Sequence, residues 1–295
     1  MNIATLLVTT VACLLIQQPV GECMAPSAEA NESGYQAAAG PVKDIDALDV
    51  VLSARAAYVW DLESGATLHE KAPDERRPIA SLNKLASALA VVTLTRPTDV
   101  VEIPKEVAGA QRLGAHVRLP VGQHVMVSEL LEAALVASAN DAVVALAVSS
   151  MDSEDNFVEY ANDFLLERGF NDTRLSNATG FSGGNQYSTA REVGRLLEMA
   201  YENPELRAYL SSPTGTLTTS EGTRRNYETT NDLLGGYLPI LSGKTGYTVE
   251  AGENLAVIVE GEGGQRIGAV VLGSDYRFLD MKVLVDWIWR HYSWS

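Results

Sequence analysis

The chain has 295 residues, room for one large domain or two small ones. Hydrophobic residues make up 46% and charged residues 20%, a globular mixture that excludes a disordered chain or a fibrous repeat. Acidic residues outnumber basic ones 38 to 22, and the net charge of −16 excludes the basic footprint of a nucleic-acid binder or a polybasic membrane-surface protein.

Residues 3–16 (IATLLVTTVACLLI) form an apolar run. It is shorter than the roughly 20 residues a bilayer crossing needs. It fits the core of a secretory signal, ended by Gln17, Gln18 and Pro19, with Ala28-Glu29-Ala30 as a small-x-small cleavage site. The usual basic start is missing, since the first basic residue is Lys43. Residues 1–30 are therefore expected to be a signal peptide, and the protein to be exported to the periplasm or the outer face of the envelope. A membrane role is expected only if that segment stays uncleaved. Cys13 and Cys23 are the two cysteines, and both would leave with the leader. A cysteine nucleophile, a cysteine zinc site and a disulfide are then excluded from the mature chain. Residues 31–45 read as a linker.

A catalytic-sized unit is expected over residues 46–295. A strand at 56–62 turns at Glu63-Ser64-Gly65 and returns at 66–69 as a hairpin. Residues 81–94 (SLNKLASALAVVTL) form a strongly apolar helix, with Pro78 just before it. Two more helices, 128–136 and 140–148, break at Ser138-Ala139-Asn140. Amphipathic helices follow at 156–168 and 190–201. Strands at 238–247, 254–260 and 266–272 come next, with Gly261-Glu262-Gly263-Gly264 as a hairpin turn. A Trp-rich helix at 278–292 closes the chain. Its aromatics Trp287, Trp289, Tyr292 and Trp294 read as packing against a sheet rather than as a membrane anchor. Strands at both ends can meet in one sheet, with a helical insert at about 80–235 as a second lobe. The fold class is α+β, with an antiparallel sheet flanked by helices and an all-helical second lobe. A site is expected in the cleft between the lobes.

Three short motifs carry chemistry. Ser81-Leu82-Asn83-Lys84 places a hydroxyl and an amine three apart on one helix face. A serine needs an adjacent base to become a nucleophile, and burial with nearby positive charge can make lysine that base. Alone the motif is cheap, about one chance match per chain of this size. Ser138-Ala139-Asn140 puts a hydroxyl and a carboxamide at a helix break, where an ordinary N-cap is the plain alternative. Lys244-Thr245-Gly246 offers a charge and a hydroxyl to a carboxylate, and a glycine that lets a ligand approach the strand; a strand-end turn is its plain alternative. His69, His116, His124 and His291 show no shared spacing, and no metal or cofactor is expected.

Together, and in this order, the three motifs resemble the signature set of the penicillin-recognising serine enzymes. Flanking text sharpens the resemblance to the low-molecular-mass D-alanyl-D-alanine carboxypeptidases: residues 78–85 (PIASLNKL), 244–248 (KTGYT) with Ala251-Gly252 and Asn254-Leu255, and between them 177–181 (NATGF) and 187–190 (YSTA). The likeness runs from about residue 54 to the C-terminus. It departs at Asn83, where the family often has Thr, and at Gln186, where it often has His. The resemblance implies a β-lactamase/transpeptidase-like fold. It implies that Ser81 attacks the penultimate D-alanine carbonyl of a peptidoglycan pentapeptide while Lys84 takes its proton. Ser138 or Lys84 would protonate the leaving D-alanine. The backbone N–H groups of Ser81 and Tyr247 would form the oxyanion hole, within a Lys244-Thr245-Gly246-Tyr247 strand. Lys244, Thr245 and Arg277 would hold the terminal carboxylate, and Asn140 the peptide backbone. β-Lactams would acylate Ser81. The same residues would suit a DD-endopeptidase that cuts cross-links. A serine β-lactamase of the class A kind would need a Glu to activate water, and residues 173–177 (TRLSN) supply none.

Overall fold

The computed structural model describes residues 40–181, 183 and 185–294; the expected signal peptide and the first part of the linker lie outside them. The elements in chain order are β1 (Val42–Lys43), β2 (Ala56–Asp61), β3 (Thr67–Lys71), a 3-10 turn (Ala80–Leu82), α1 (Asn83–Leu94), β4 (Val100–Glu102), α2 (Val107–Ala110), β5 (His124–Met126), α3 (Val127–Val136), α4 (Asn140–Met151) and α5 (Glu154–Glu167). There follow α6 (Ala190–Glu202), α7 (Pro204–Leu210), β6 (Thr214–Thr218), β7 (Arg224–Glu228), β8 (Ile240–Thr248), β9 (Gly252–Glu260), β10 (Arg266–Ser274), α8 (Arg277–His291) and β11 (Tyr292–Ser293).

Strands from both ends of the chain do meet, in one antiparallel five-stranded sheet of order β3-β2-β10-β9-β8. Successive side chains of a strand point to opposite faces, and the sheet is covered on both. Tyr58, Trp60, Ile258, Val270 and Leu272 pack on one side with α1, α3, α4 and α6. Val59, Val257, Val259, Ala269 and Val271 pack on the other with Leu284, Val285 and Ile288 of α8. That double burial explains why β9 and β10 read as apolar runs rather than as alternating text. The closing aromatics pack as expected. Trp287 Nε1 donates to Leu48 O at 2.8 Å, Trp294 Nε1 to Asp61 Oδ1 at 2.8 Å, and β11 pairs with β1. Among the described residues no helix is long and apolar enough to cross a membrane.

The second lobe is built around α1, whose residues from Asn83 to Val91 are all buried. It packs against α3, α4, α5 and α6. The lobe is not all helical: β4 pairs with β5 and β6 with β7 as two short ribbons. Their side chains are mostly exposed, with Leu217 and Tyr227 the buried residues of the second ribbon, so they carry too little apolar pattern to stand out as strands. The amphipathic helix expected at 156–168 starts at Glu154, because Ser153 accepts a hydrogen bond from Asn156 N as N-cap.

One packing contact is sharp enough to test. The Trp60 ring lies across Gly268, its partner on the neighbouring strand, so a Cβ at Gly268 would fall 2.1 Å from the ring. Trp60 is 4% exposed and stacked on Tyr58 at 5.4 Å, which leaves it no free path to move. Gly268→Ala is expected to cost about 1–3 kcal/mol, read as a lower denaturant midpoint with an unchanged slope.

Candidate active site

Ser81 sits in the 3-10 turn, one residue after Ala80, which holds a left-handed φ of 49°. Such a conformation costs a non-glycine residue energy and needs surroundings that fix it. Those surroundings are Gly180 and Asn177. A Cβ on Gly180 would lie 2.0 Å from Ala80 O, so only glycine lets the 177–181 segment press under the turn. Asn177 ties that segment: its Oδ1 accepts from Thr179 Oγ1 at 2.8 Å and Gly180 N at 2.8 Å, and its Nδ2 donates to Phe181 O at 3.0 Å. Asn83 Nδ2 donates to Asn177 O at 2.9 Å and locks the segment to α1.

Lys84 follows on α1 and is fully buried. Its Nζ lies 2.8 Å from Ser81 Oγ, 2.7 Å from Asn140 Oδ1 and 2.8 Å from Thr179 O. Burial first, and then the charge of Lys244, push Lys84 well below the ordinary lysine value; Asp141 pulls weakly the other way. A Lys84 that loses its proton this readily can act as a base.

Ser138 is 5% exposed and also left-handed, at φ 57°. It turns the chain between α3 and α4 and presents Asn140 at the start of α4. Asn140 N donates to Ala115 O at 2.7 Å, and its Nδ2 to Leu113 O at 2.5 Å. Both ends of the Asn140 amide are therefore engaged, one by Lys84 and one by the 111–119 loop. The next residue, Asp141, is fully buried. It accepts from Val117 N at 3.1 Å, Leu119 N at 3.0 Å and Gln111 Nε2 at 3.2 Å. The Ser-x-Asn-Asp segment thus holds the loop whose Gly114 and Ala115 form one wall of the cleft.

β8, an edge strand of the sheet, forms the opposite wall. Gly246 is required there, since a Cβ would lie 2.7 Å from Ile79 O and 3.1 Å from both Ser81 N and Leu82 N. The strand therefore runs directly beside the N–H groups at the start of the Ser81 turn. Thr245 Oγ1 and Thr230 Oγ1 are 2.5 Å apart. Arg277, at the head of α8, donates from Nη1 to Gly246 O at 3.3 Å, and its own N–H donates to Glu253 Oε2. Lys244 is 1% exposed, with Nζ 3.1 Å from Thr245 O. Burial, and then the Arg277 charge, bring it down to about 7.

Ser81, Ser138, Asn140, Thr245, Gly246, Tyr247 and Arg277 all line one cleft of about 230 Å³. Lys84 and Lys244 lie buried behind its walls. No Asp or Glu is among the described residues that line it. Residues 43–276 match the family described as D-alanyl-D-alanine carboxypeptidase, peptidase S11. The chain belongs to that family. Among its relatives in the family, D-alanyl-D-alanine carboxypeptidase DacF of Bacillus subtilis is 29% identical over 85% of this chain and 62% of its own. A D-alanyl-D-alanine endopeptidase of Pseudomonas aeruginosa is 31% identical over 70% of this chain and 67% of its own. The chain spans 62% of the length of the carboxypeptidase relatives DacF, DacA and DacC that it matches. The crystal structure of the Streptomyces K15 DD-transpeptidase superposes with a TM-score of 0.76 at 25% identity, over 82% of this chain and 99% of that one.

Within this family member, several residues at the cleft carry no motif of their own. Thr230 and Gly114 line it from loops, beside Phe181 of the 177–181 segment. Asp141 reads in sequence as a helix-capping residue, and its three partners lie 22 to 30 positions away. Its place directly after Ser-x-Asn is the one signal that could have drawn notice.

Proposed function

We propose that the protein is a serine D-alanyl-D-alanine carboxypeptidase of the exported envelope, acting on peptidoglycan pentapeptides. The observation that carries this reading is the pair Ser81 Oγ and Lys84 Nζ, 2.8 Å apart, with the amine buried and its proton affinity lowered. A neutral Lys84 donates its two protons to Asn140 Oδ1 and Thr179 O and points its lone pair at the Ser81 hydroxyl. Ser81 Oγ then attacks the penultimate D-alanine carbonyl, and its proton passes to Lys84 Nζ. The N–H groups of Ser81 and Tyr247 take the oxyanion. The C–N bond breaks, the departing D-alanine amine receives a proton through Ser138 or Lys84, and water later hydrolyses the ester. Thr245 and Arg277 at the cleft wall, with the Lys244 charge behind it, draw the terminal carboxylate into a protein that is otherwise strongly acidic. A cleft without Asp or Glu fits slow turnover of β-lactams rather than a β-lactamase.

Labelled penicillin and D-alanine release from a pentapeptide test this directly. Parent protein is expected to give both a stable covalent adduct and free D-alanine, and Ser81→Ala neither. Labelling of Ser81→Ala as strong as that of the parent would sink the mechanism. The endopeptidase reading is favoured by the Pseudomonas aeruginosa relative. Comparing cross-linked dimers with pentapeptide monomers separates the two.

A further inference from the structure

Residues 177–179 run alongside α1 as neither helix nor strand, and Ala178 and Thr179 are buried. A buried carbonyl outside a helix or sheet must find its donor elsewhere. Among the described residues, no hydrogen bond between backbone groups serves this segment. Its three carbonyls go instead to three side chains of α1. Asn83 Nδ2 donates to Asn177 O at 2.9 Å, Ser87 Oγ to Ala178 O at 2.8 Å, and Lys84 Nζ to Thr179 O at 2.8 Å. Position 87 lies four after 83 and three after 84, so all three share one helix face. A fourth tie comes from the first turn of α5, where Glu154 Oε1 accepts from Ala178 N at 2.9 Å.

Thr179 O matters for what it does to Lys84. A neutral amine has two N–H groups and one lone pair. The lone pair faces Ser81 Oγ only while both N–H groups are held elsewhere, by Asn140 Oδ1 and Thr179 O. Asn140 has its own anchor, from Nδ2 to Leu113 O. Thr179 O hangs on a segment whose middle residue, Ala178, is held by Ser87 at its carbonyl and by Glu154 at its N–H.

We propose that Ser87 and Glu154 are positioning residues for the Ser81–Lys84 pair, fixing Ala178 so that Thr179 O stays on Lys84. This rests on the serine-acylation reading above. Without the Ser87 hydroxyl, Ala178 O is buried and unpartnered, and the segment turns to find it a donor. The next peptide carries Thr179 O away with it. One N–H of Lys84 then swings to Ser81 Oγ, and the lone pair no longer faces the proton it must take. The charged amine loses more than the neutral one, because its three N–H groups need all three acceptors. Lys84 should then give up its proton at still lower pH. The charged groups that bear on Lys84 are Lys244 of β8 and Asp141 of α4, and Glu154 of α5 is not among them. Glu154 therefore works through its hydrogen bond rather than its charge.

The test follows acylation by labelled penicillin across pH, with each rate taken per labelled site so that loss of folded protein cancels. Ser87→Ala and Glu154→Ala are each expected to acylate about tenfold or more slowly, since a misplacement of about 1 Å can cost 10²-fold. In both, the acid limb should move to lower pH. Glu154→Gln keeps an acceptor for Ala178 N and should restore the parent rate and limb. Parent-like rates in both alanine variants would overturn the proposal and leave the acylation reading standing. So would slower acylation with an unmoved acid limb, the mark of a merely structural role. An acid limb moved to higher pH, the mark of water admitted to Lys84, would overturn it too. A Glu154→Gln as slow as Glu154→Ala would overturn the role of Glu154. Parent protein that penicillin does not label at Ser81 would overturn the reading itself.

Discussion

Lys84→Met is expected to slow penicillin acylation by about 10³-fold or more while the protein remains folded. Methionine matches the length and apolar body of the lysine stem in a fully buried position. It removes the one amine 2.8 Å from Ser81 Oγ. A positioned base contributes ~10²–10⁴-fold, and a serine hydroxyl without one is a poor nucleophile. The pH profile provides a second readout. In the proposed mechanism acylation requires neutral Lys84, so kcat/KM should rise with pH through its lowered value. The proposed capture of a carboxylate requires charged Lys244, which is held at about 7 in the free protein. The profile should therefore fall above about pH 7, giving a bell. A bound carboxylate restores the Lys244 proton, so the alkaline fall should be weaker in kcat than in kcat/KM. Lys244→Arg keeps its charge at any of these pH values and should move the alkaline limb upward. Fast acylation by Lys84→Met, or an acid limb that survives in it, would remove Lys84 from the role of base.

The sheet was legible because its strands carry their own evidence. Residues 254–260 and 266–272 are apolar runs with a glycine-rich turn between them, and they became β9 and β10 with the same turn. The ribbons were not, since residues 214–218 (TGTLT) hold a single buried apolar side chain. The motifs placed Ser81 at a helix start, yet periodicity cannot tell a 3-10 turn from the first turn of an α-helix. That distinction matters, because the turn and the left-handed Ala80 before it aim the hydroxyl. Residues whose work is long-range showed no role of their own in the sequence. Asn177 supports Ala80 from 97 positions away through Gly180, and Asp141 fastens a loop that lies earlier in the chain. Residues 177–181 stood out only by their resemblance to the family, without a role, and Asp141 read only as a helix cap. Lys244 shows the same limit from the other side. The motif predicts a carboxylate-binding charge, and burial behind the strand decides how readily that charge is lost.

Gly246→Ala is expected to cost about 10²-fold in acylation with little loss of stability. The new methyl would meet Ile79 O at 2.7 Å and crowd Ser81 N and Leu82 N at 3.1 Å. Two of these are backbone atoms of the Ser81 turn and one precedes it, so nothing flexible can step aside. β8 is an edge strand and can yield instead, moving outward by a few tenths of an ångström to about 1 Å. That shift separates the Ser81 and Tyr247 N–H groups, the two proposed donors to the oxyanion. A misplacement of about 1 Å can cost 10²-fold, and loss of one such donor costs ~10²–10³-fold. The main-chain pairing of β8 with β9 survives the shift, so the thermal midpoint should stay within a few degrees of the parent. Gly109→Ala is the matched control, because no atom lies within 4 Å of its Cβ position. Substrate binding should weaken less than acylation, since Thr245 keeps its Thr230 contact and the Arg277 main chain its tie to Glu253, while the Arg277 guanidinium, bonded to Gly246 O, follows the strand on a long side chain. An acylation rate equal to that of Gly109→Ala would show that the close approach of β8 to Ser81 is not what builds the oxyanion hole.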